Sequence, residues 1–122
     1  MIGIETKYHE DCRKEKIPSD ARLKRYNQVA EASGVFKQGA SEYFIGTNLQ
    51  QIWLDHLLAL SMLQDSSKKW TWVKFVMIHP SGNPSFTKAA KDYFSLLKDT
   101  ATRKKSGALP DTFYLNGIGE NR

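Results

Sequence analysis

Cysteine is almost absent from this sequence. Cys12 stands alone, so no internal disulfide can form and a reducing, cytoplasmic setting is the default. Arg13 and Lys14 beside it would lower a thiol pKa, but a plain exposed thiol is the simpler reading. Long apolar runs are missing as well. No stretch approaches the roughly 18 residues of a membrane span, and Met1-Ile2-Gly3-Ile4-Glu5 lacks the basic and apolar regions of a signal peptide. There is no Ser-His-Asp pattern and no zinc-ligand spacing. His9, His56 and His79 are too scattered to read as a metal site, and His56 falls on an apolar helix where a satisfied core histidine is the expectation. The punctuated run Pro80-Ser81-Gly82-Asn83-Pro84 lacks the glycine-rich length of a P-loop. No repeat or low-complexity segment is present. What remains is one domain, residues 1–122, large enough for a single modest core.

Charge is abundant but unevenly placed. Residues 1–61 hold eight Lys and Arg against eight Asp and Glu, whereas residues 62–122 hold ten against five. The whole net charge of +5 therefore sits in the second half. Lys68 with Lys69, and Arg103 with Lys104 and Lys105, form clusters that would attract a polyanion by counterion release. A solvated basic face is the plainer reading of the same residues.

Periodicity gives an α/β order. Residues 2–8 alternate Ile2, Ile4 and Thr6 with Gly3, Glu5 and Lys7, a strand with a period of two. A polar loop follows to Asp20. Ser19 or Asp20 caps a helix that runs to about Ser33, with Gly34 as its stop. Residues 35–46 read as irregular. Thr47-x-x-Gln50 resembles a capping box and opens the most apolar segment, a central helix striped by Leu49, Ile52, Trp53, Leu57, Leu60 and Leu63. After a turn at 64–69, residues 70–79 read as an interior strand, apolar on both faces. Asn83 and Pro84 then start a helix over about 84–99. The basic 101–107 stretch reads as a linker, Phe113-Tyr114-Leu115 as a short strand, and 117–122 as a frayed tail.

Chemistry concentrates at the first strand. Glu5 and Lys7, two apart, share one strand face, and a charged pair on a strand otherwise carrying Ile2 and Ile4 has a desolvation cost unless it is wet or employed. A carboxylate beside an ammonium suits phosphodiester work: the first holds a hard divalent ion, the second steadies a phosphate oxygen or positions a water. An edge strand with a solvent-facing ion pair explains the triplet equally well, since acid-x-Lys arises often by chance.

The wider string Ile2-Gly3-Ile4-Glu5-Thr6-Lys7-Tyr8-His9-Glu10-Asp11 resembles the E-x-K strand of PD-(D/E)xK nuclease-like domains. The resemblance continues through Arg25-Tyr26, through Leu49 to Leu60, and through Phe75 to Pro84, so ordered motifs span roughly residues 1–100. It implies a restriction-endonuclease-like mixed sheet flanked by helices and a hydrolase site using Mg2+ or Mn2+. Carried over by position, Glu5 becomes a metal ligand, Lys7 the water-positioning or phosphate-contacting base, Glu10 an added carboxylate and Gln51 a helix glutamine facing the site. For Gln50 first-turn capping is the better role. Nucleic acid, DNA by preference, is the implied partner.

One departure stands out. The family places an acidic residue on a strand before the E-x-K strand, and here Glu5 is preceded by only four residues. A single carboxylate holds Mg2+ poorly. The expectation is therefore an N-terminally truncated or degenerate copy with little activity alone, whose unpaired strand edge invites a homodimer or a strand-completing partner. A non-catalytic nucleic-acid-binding or interaction module is the alternative.

Overall fold

The computed structural model describes residues 2–6, 15–67, 69–79, 84–105, 112–115 and 118–121. The opening alternation becomes strand β1, Ile2–Thr6. Helix α1, Asp20–Ser33, has ends set by local chemistry. Ser19 Oγ accepts the Arg22 N–H at 3.4 Å, and Gly34 leaves the helix at φ 66 while its N–H donates to the Glu31 carbonyl. That left-handed turn favours a residue without a β-carbon. The stretch expected to be irregular contains a four-residue helix α2, Ser41–Phe44.

Helix α3, Gln50–Ser61, ends in a 3-10 turn over Met62–Gln64. The capping box opening it is offset by one position. Thr47 Oγ1 accepts the Leu49 N–H at 3.1 Å rather than that of Gln50, and Gln50 Oε1 accepts the Gly46 N–H at 2.7 Å. At the far end Asp65 closes the turn through both carboxylate oxygens, which accept from the Ser67 backbone and hydroxyl.

Strand β2 covers Lys74–His79, four residues shorter at its start than the apolar composition of 70–79 suggests. Its ladder opens with Ile2↔Lys74, and Trp72, 40 % exposed, lies before that first pair. Helix α4 takes Pro84 as its first residue and ends at Ser95, short of the expected 99. The chain is redirected there by cross-links to the segment after α1. Phe36 bridges Leu97, the Lys37 N–H donates to the Leu96 carbonyl at 2.9 Å, and the Lys98 N–H donates to the Val35 carbonyl at 2.8 Å. The supposed linker at 101–107 instead contains helix α5, Thr100–Lys105. Asp99 starts it, its carboxylate accepting both the N–H and the hydroxyl of Thr102 at 2.9 Å. Strand β3, Thr112–Leu115, falls where a last strand was expected. A further strand β4, Ile118–Asn121, occupies the segment read as a frayed tail.

The four strands form one sheet in the order β1-β2-β3-β4. β2 runs parallel to both β1 and β3, and β4 runs antiparallel to β3. Helix α3 lies between α1 and the β1–β2 part of the sheet, which explains its apolar girth. Ile52, Trp53, Leu57, Ala59 and Leu60 are buried there with Val29, Phe44, Phe75 and the α4 residues Ala89, Ala90 and Tyr93. Phe44 links two large rings, 5.6 Å from Trp53 and 5.0 Å from Tyr93 between centroids. Leu58 is the exception on this helix, 70 % exposed. It borders a shallow apolar groove with Tyr26 and Leu54.

Candidate functional site

Glu5 occupies the fourth position of β1, in parallel register with Met77 of β2. β1 stands at one end of the strand order, with β2 as its neighbour among the described residues. Glu5 is described by its backbone alone, and Lys7 and Glu10 lie outside the described residues, as does Asn83. The E-x-K motif therefore starts on a paired strand, beneath the helix that carries both glutamines singled out above.

Those glutamines divide sharply. Gln50 is buried and binds in two directions. Its Nε2 donates to the Lys16 carbonyl at 3.0 Å while its Oε1 receives the Gly46 N–H. Glu15 adds a backbone bond, its N–H donating to the Thr47 carbonyl at 3.4 Å. The chain returning from the E-x-K strand is thus fastened to the start of α3, and Gln50 is a fastening residue. Gln51 is exposed, and its Nε2 donates to Asp55 Oδ1 at 3.0 Å, one helical turn on. An amide held by an i,i+4 carboxylate is oriented along its own helix.

The basic residues are dispersed. Lys69 is exposed, with its ammonium 5.3 Å from the Trp70 ring centroid. Lys68 lies outside the described residues, and Lys104 and Lys105 are placed on α5 by backbone alone. Arg103 departs from the expected basic surface: it is 4 % exposed. Forming α5 rather than a linker turns this guanidinium inward, where a phosphate does not reach it.

Arg103 acts instead on His56. The imidazole is fully buried, stacked on Phe75 at 4.8 Å, with Nδ1 2.8 Å from the Tyr93 hydroxyl. Burial, and secondly the positive charge of Arg103, lower its pKa from 6.5 to about 3. This is a neutral core histidine, as the apolar helix around it suggested. Asp99, by contrast, is held below the usual carboxylate range by the Thr102 backbone N–H and then by its hydroxyl.

Among the described residues no group of three or more His, Cys, Asp and Glu comes together to hold a metal ion. Glu5 is a hard oxygen donor of the kind Mg2+ prefers. No helix of the described residues is long and apolar enough to cross a membrane.

Sequence reasoning missed a concave feature among the described residues, a cleft lined from α1, α3, the segment joining α1 to α2 and Lys98. Its residues lie between positions 27 and 98 and form no motif. Trp53, 0 % exposed, is among its lining residues. Compared with known proteins, the chain matches the family model of the PD-(D/E)XK nuclease superfamily over residues 1–113. No curated protein and no solved structure matches it.

Proposed function

Because this chain belongs to the PD-(D/E)XK nuclease superfamily, we propose that it is a metal-dependent nuclease-like domain that hydrolyses phosphodiester bonds, with DNA the favoured substrate. The observation supporting this reading is the position of Glu5 near the end of a sheet-paired strand, two residues before Lys7. Members of the superfamily generally use divalent metals such as Mg2+. When bound, Mg2+ or Mn2+ would supply Lewis acidity at the phosphate and a more acidic water.

The protein's part is orientation and charge. Glu5 and Glu10 would hold the ion, and the Lys7 ammonium would steady a phosphate oxygen and position the attacking water. Gln51, on the helix packed against β1, would help orient the site. Lys68, Lys69, Lys104 and Lys105 would draw the phosphate backbone in by counterion release. A lone carboxylate holds Mg2+ poorly unless a second anionic ligand or a substrate phosphate helps, so Glu10, Asp11 or a neighbouring chain would strengthen the site.

The test is incubation of the purified protein with supercoiled plasmid, single-stranded DNA and RNA in Mg2+ or Mn2+, beside Glu5→Ala and Lys7→Ala. Metal-dependent cleavage lost in both variants is the expected result. Cleavage that persists in both would refute the assignment of Glu5 and Lys7. A folded protein that binds nucleic acid in a salt-sensitive way but never cuts would be a binding module instead.

A further inference from the structure

Two of the three tryptophans stand just before β2, ahead of the ladder that opens with Ile2↔Lys74. Because pairing rather than composition sets where β2 begins, Trp70 and Trp72 are left out of the core that buries Trp53. Trp70 is half-buried and Trp72 is 40 % exposed. A single exposed apolar side chain is ordinary and means little by itself. The surroundings of Trp72 give it meaning.

Those surroundings carry charge of one sign. From Ser66 to Lys91 the chain has five lysines and no Asp or Glu. Lys69 is exposed, and its ammonium sits over the Trp70 ring, 5.3 Å from the centroid, a cation–π distance. Trp70 thus steadies that ammonium three residues from Trp72, at most about 11 Å away along the backbone. Asp65, the nearest acid along the chain, turns both carboxylate oxygens to Ser67. Lys69 is the weakest of the influences on the Asp65 pKa, so its charge is left largely to the solvent side.

Ile2 is exposed at the same end of the sheet, so a second copy of this chain would find apolar contacts there. It would also bring a net charge of +5 against the lysines. A nucleic-acid strand brings phosphates instead, together with bases whose faces stack on an indole whatever their sequence. We propose that Trp72 and Lys69 form a platform for a single nucleic-acid strand, one unpaired base stacking on the Trp72 ring and a nearby phosphate lying by the Lys69 ammonium. This rests on the reading of the chain as acting on nucleic acid, and refines it toward single-stranded or locally opened substrate. A paired base keeps its faces in its own stack and has none to offer. The parallel register levels Lys74 with Ile2 and Met77 with Glu5. The platform therefore lies about 16 Å from the level of Glu5 along β2, the length of about five stacked nucleotides at 3.4 Å each.

Fluorescence anisotropy of the full chain in EDTA compares a labelled oligothymidylate of about 12 nucleotides, an ordinary site size for single-strand binding, with a duplex of the same length. The single strand should bind more tightly. Trp72→Ala should weaken its binding about fivefold or more, the loss of one stacked base. Trp72→Phe keeps an aromatic face and should recover most of that loss, which separates stacking from a general effect on folding. Lys69→Met should reduce the slope of log K against log salt by about 0.7. Single-strand binding that Trp72→Ala leaves unchanged overturns the platform while the nucleic-acid reading stands. Tighter binding of the duplex overturns it as well, and so does the absence of any binding. A dimer in light scattering that Trp72→Ala dissolves, without binding of either oligonucleotide, would replace it with a contact between copies. The cleavage assay reads Glu5 and Lys7 while this one reads Trp72, so failure of either reading is seen separately from failure of the other.

Discussion

Replacing His56 with glutamine should flatten the acid side of this protein's stability curve. In the folded state the imidazole titrates at about 3, against 6.5 when free of the fold. The first cause is burial and the second is Arg103. Between those two values the unfolded chain binds a proton that the folded chain refuses. Stability is therefore whole above about pH 6.5 and drains away as the pH falls toward 3, at about 1.4 kcal/mol per unit. From pH 7 to pH 5 the loss comes to about 2 kcal/mol, a large share of the roughly 5–15 kcal/mol that holds a domain together. Urea unfolding of wild type and His56→Gln at both pH values measures it. The variant is less stable throughout, because the Phe75 stack and the fit against Tyr93 are disturbed, but a difference of differences removes that offset. Asp65 and Asp99, whose carboxyls are also held low, lose their own contributions at acid pH in both proteins alike. Wild type should lose about 2 kcal/mol more than the variant over this interval. Equal losses would refute the buried neutral imidazole.

Two further substitutions test the packing around the site. Leu60→Ala, at a side chain with 0 % exposure on the helix between α1 and the sheet, should cost about 2–5 kcal/mol in denaturant unfolding; a loss under about 1 kcal/mol would mean that the core closes over the gap. Gln50→Leu removes the bonds to the Lys16 carbonyl and the Gly46 N–H and should cost about 2 kcal/mol, with faster proteolytic nicking near residues 15–18 as a second readout. Unchanged nicking would show that the Glu15–Thr47 backbone bond holds this segment without Gln50.

Features governed by local chemistry were legible in the sequence. Ser19 and Gly34 bound α1 because a hydroxyl cap and a left-handed turn act within four residues of themselves. Pro84 opens α4 for the same kind of reason. Features decided by distant partners were not. The run 70–79 has strand-forming composition throughout, yet only Lys74–His79 joins a ladder, because a strand is as long as its pairing. α4 stops early because Leu97 meets Phe36. α5 carried a local signal in Asp99 three residues before Thr102, which the basic composition of 101–107 masked. The inward position of Arg103 carried none, since burial of a guanidinium depends on the packing of the whole chain. At the site, the strand segment Ile2–Thr6 that carries Glu5 was readable from alternation, whereas the cleft around Trp53 is assembled from three separate stretches and has no sequence signature.

The register Ile2↔Lys74 sets an order of events in time. The two strands it joins are separated by all of α1, α2 and α3, so none of the ladder's hydrogen bonds can form until that entire loop is closed. Helices α1 and α3 lie nearer each other along the chain and can dock first, leaving β1 to wait. At about 5–20 residues per second a ribosome needs roughly 4–14 seconds to deliver Lys74 after Ile2. Throughout that interval Ile2–Thr6 carries its backbone donors and acceptors without their eventual partner, and it is the segment at which a second nascent copy would most readily pair in error.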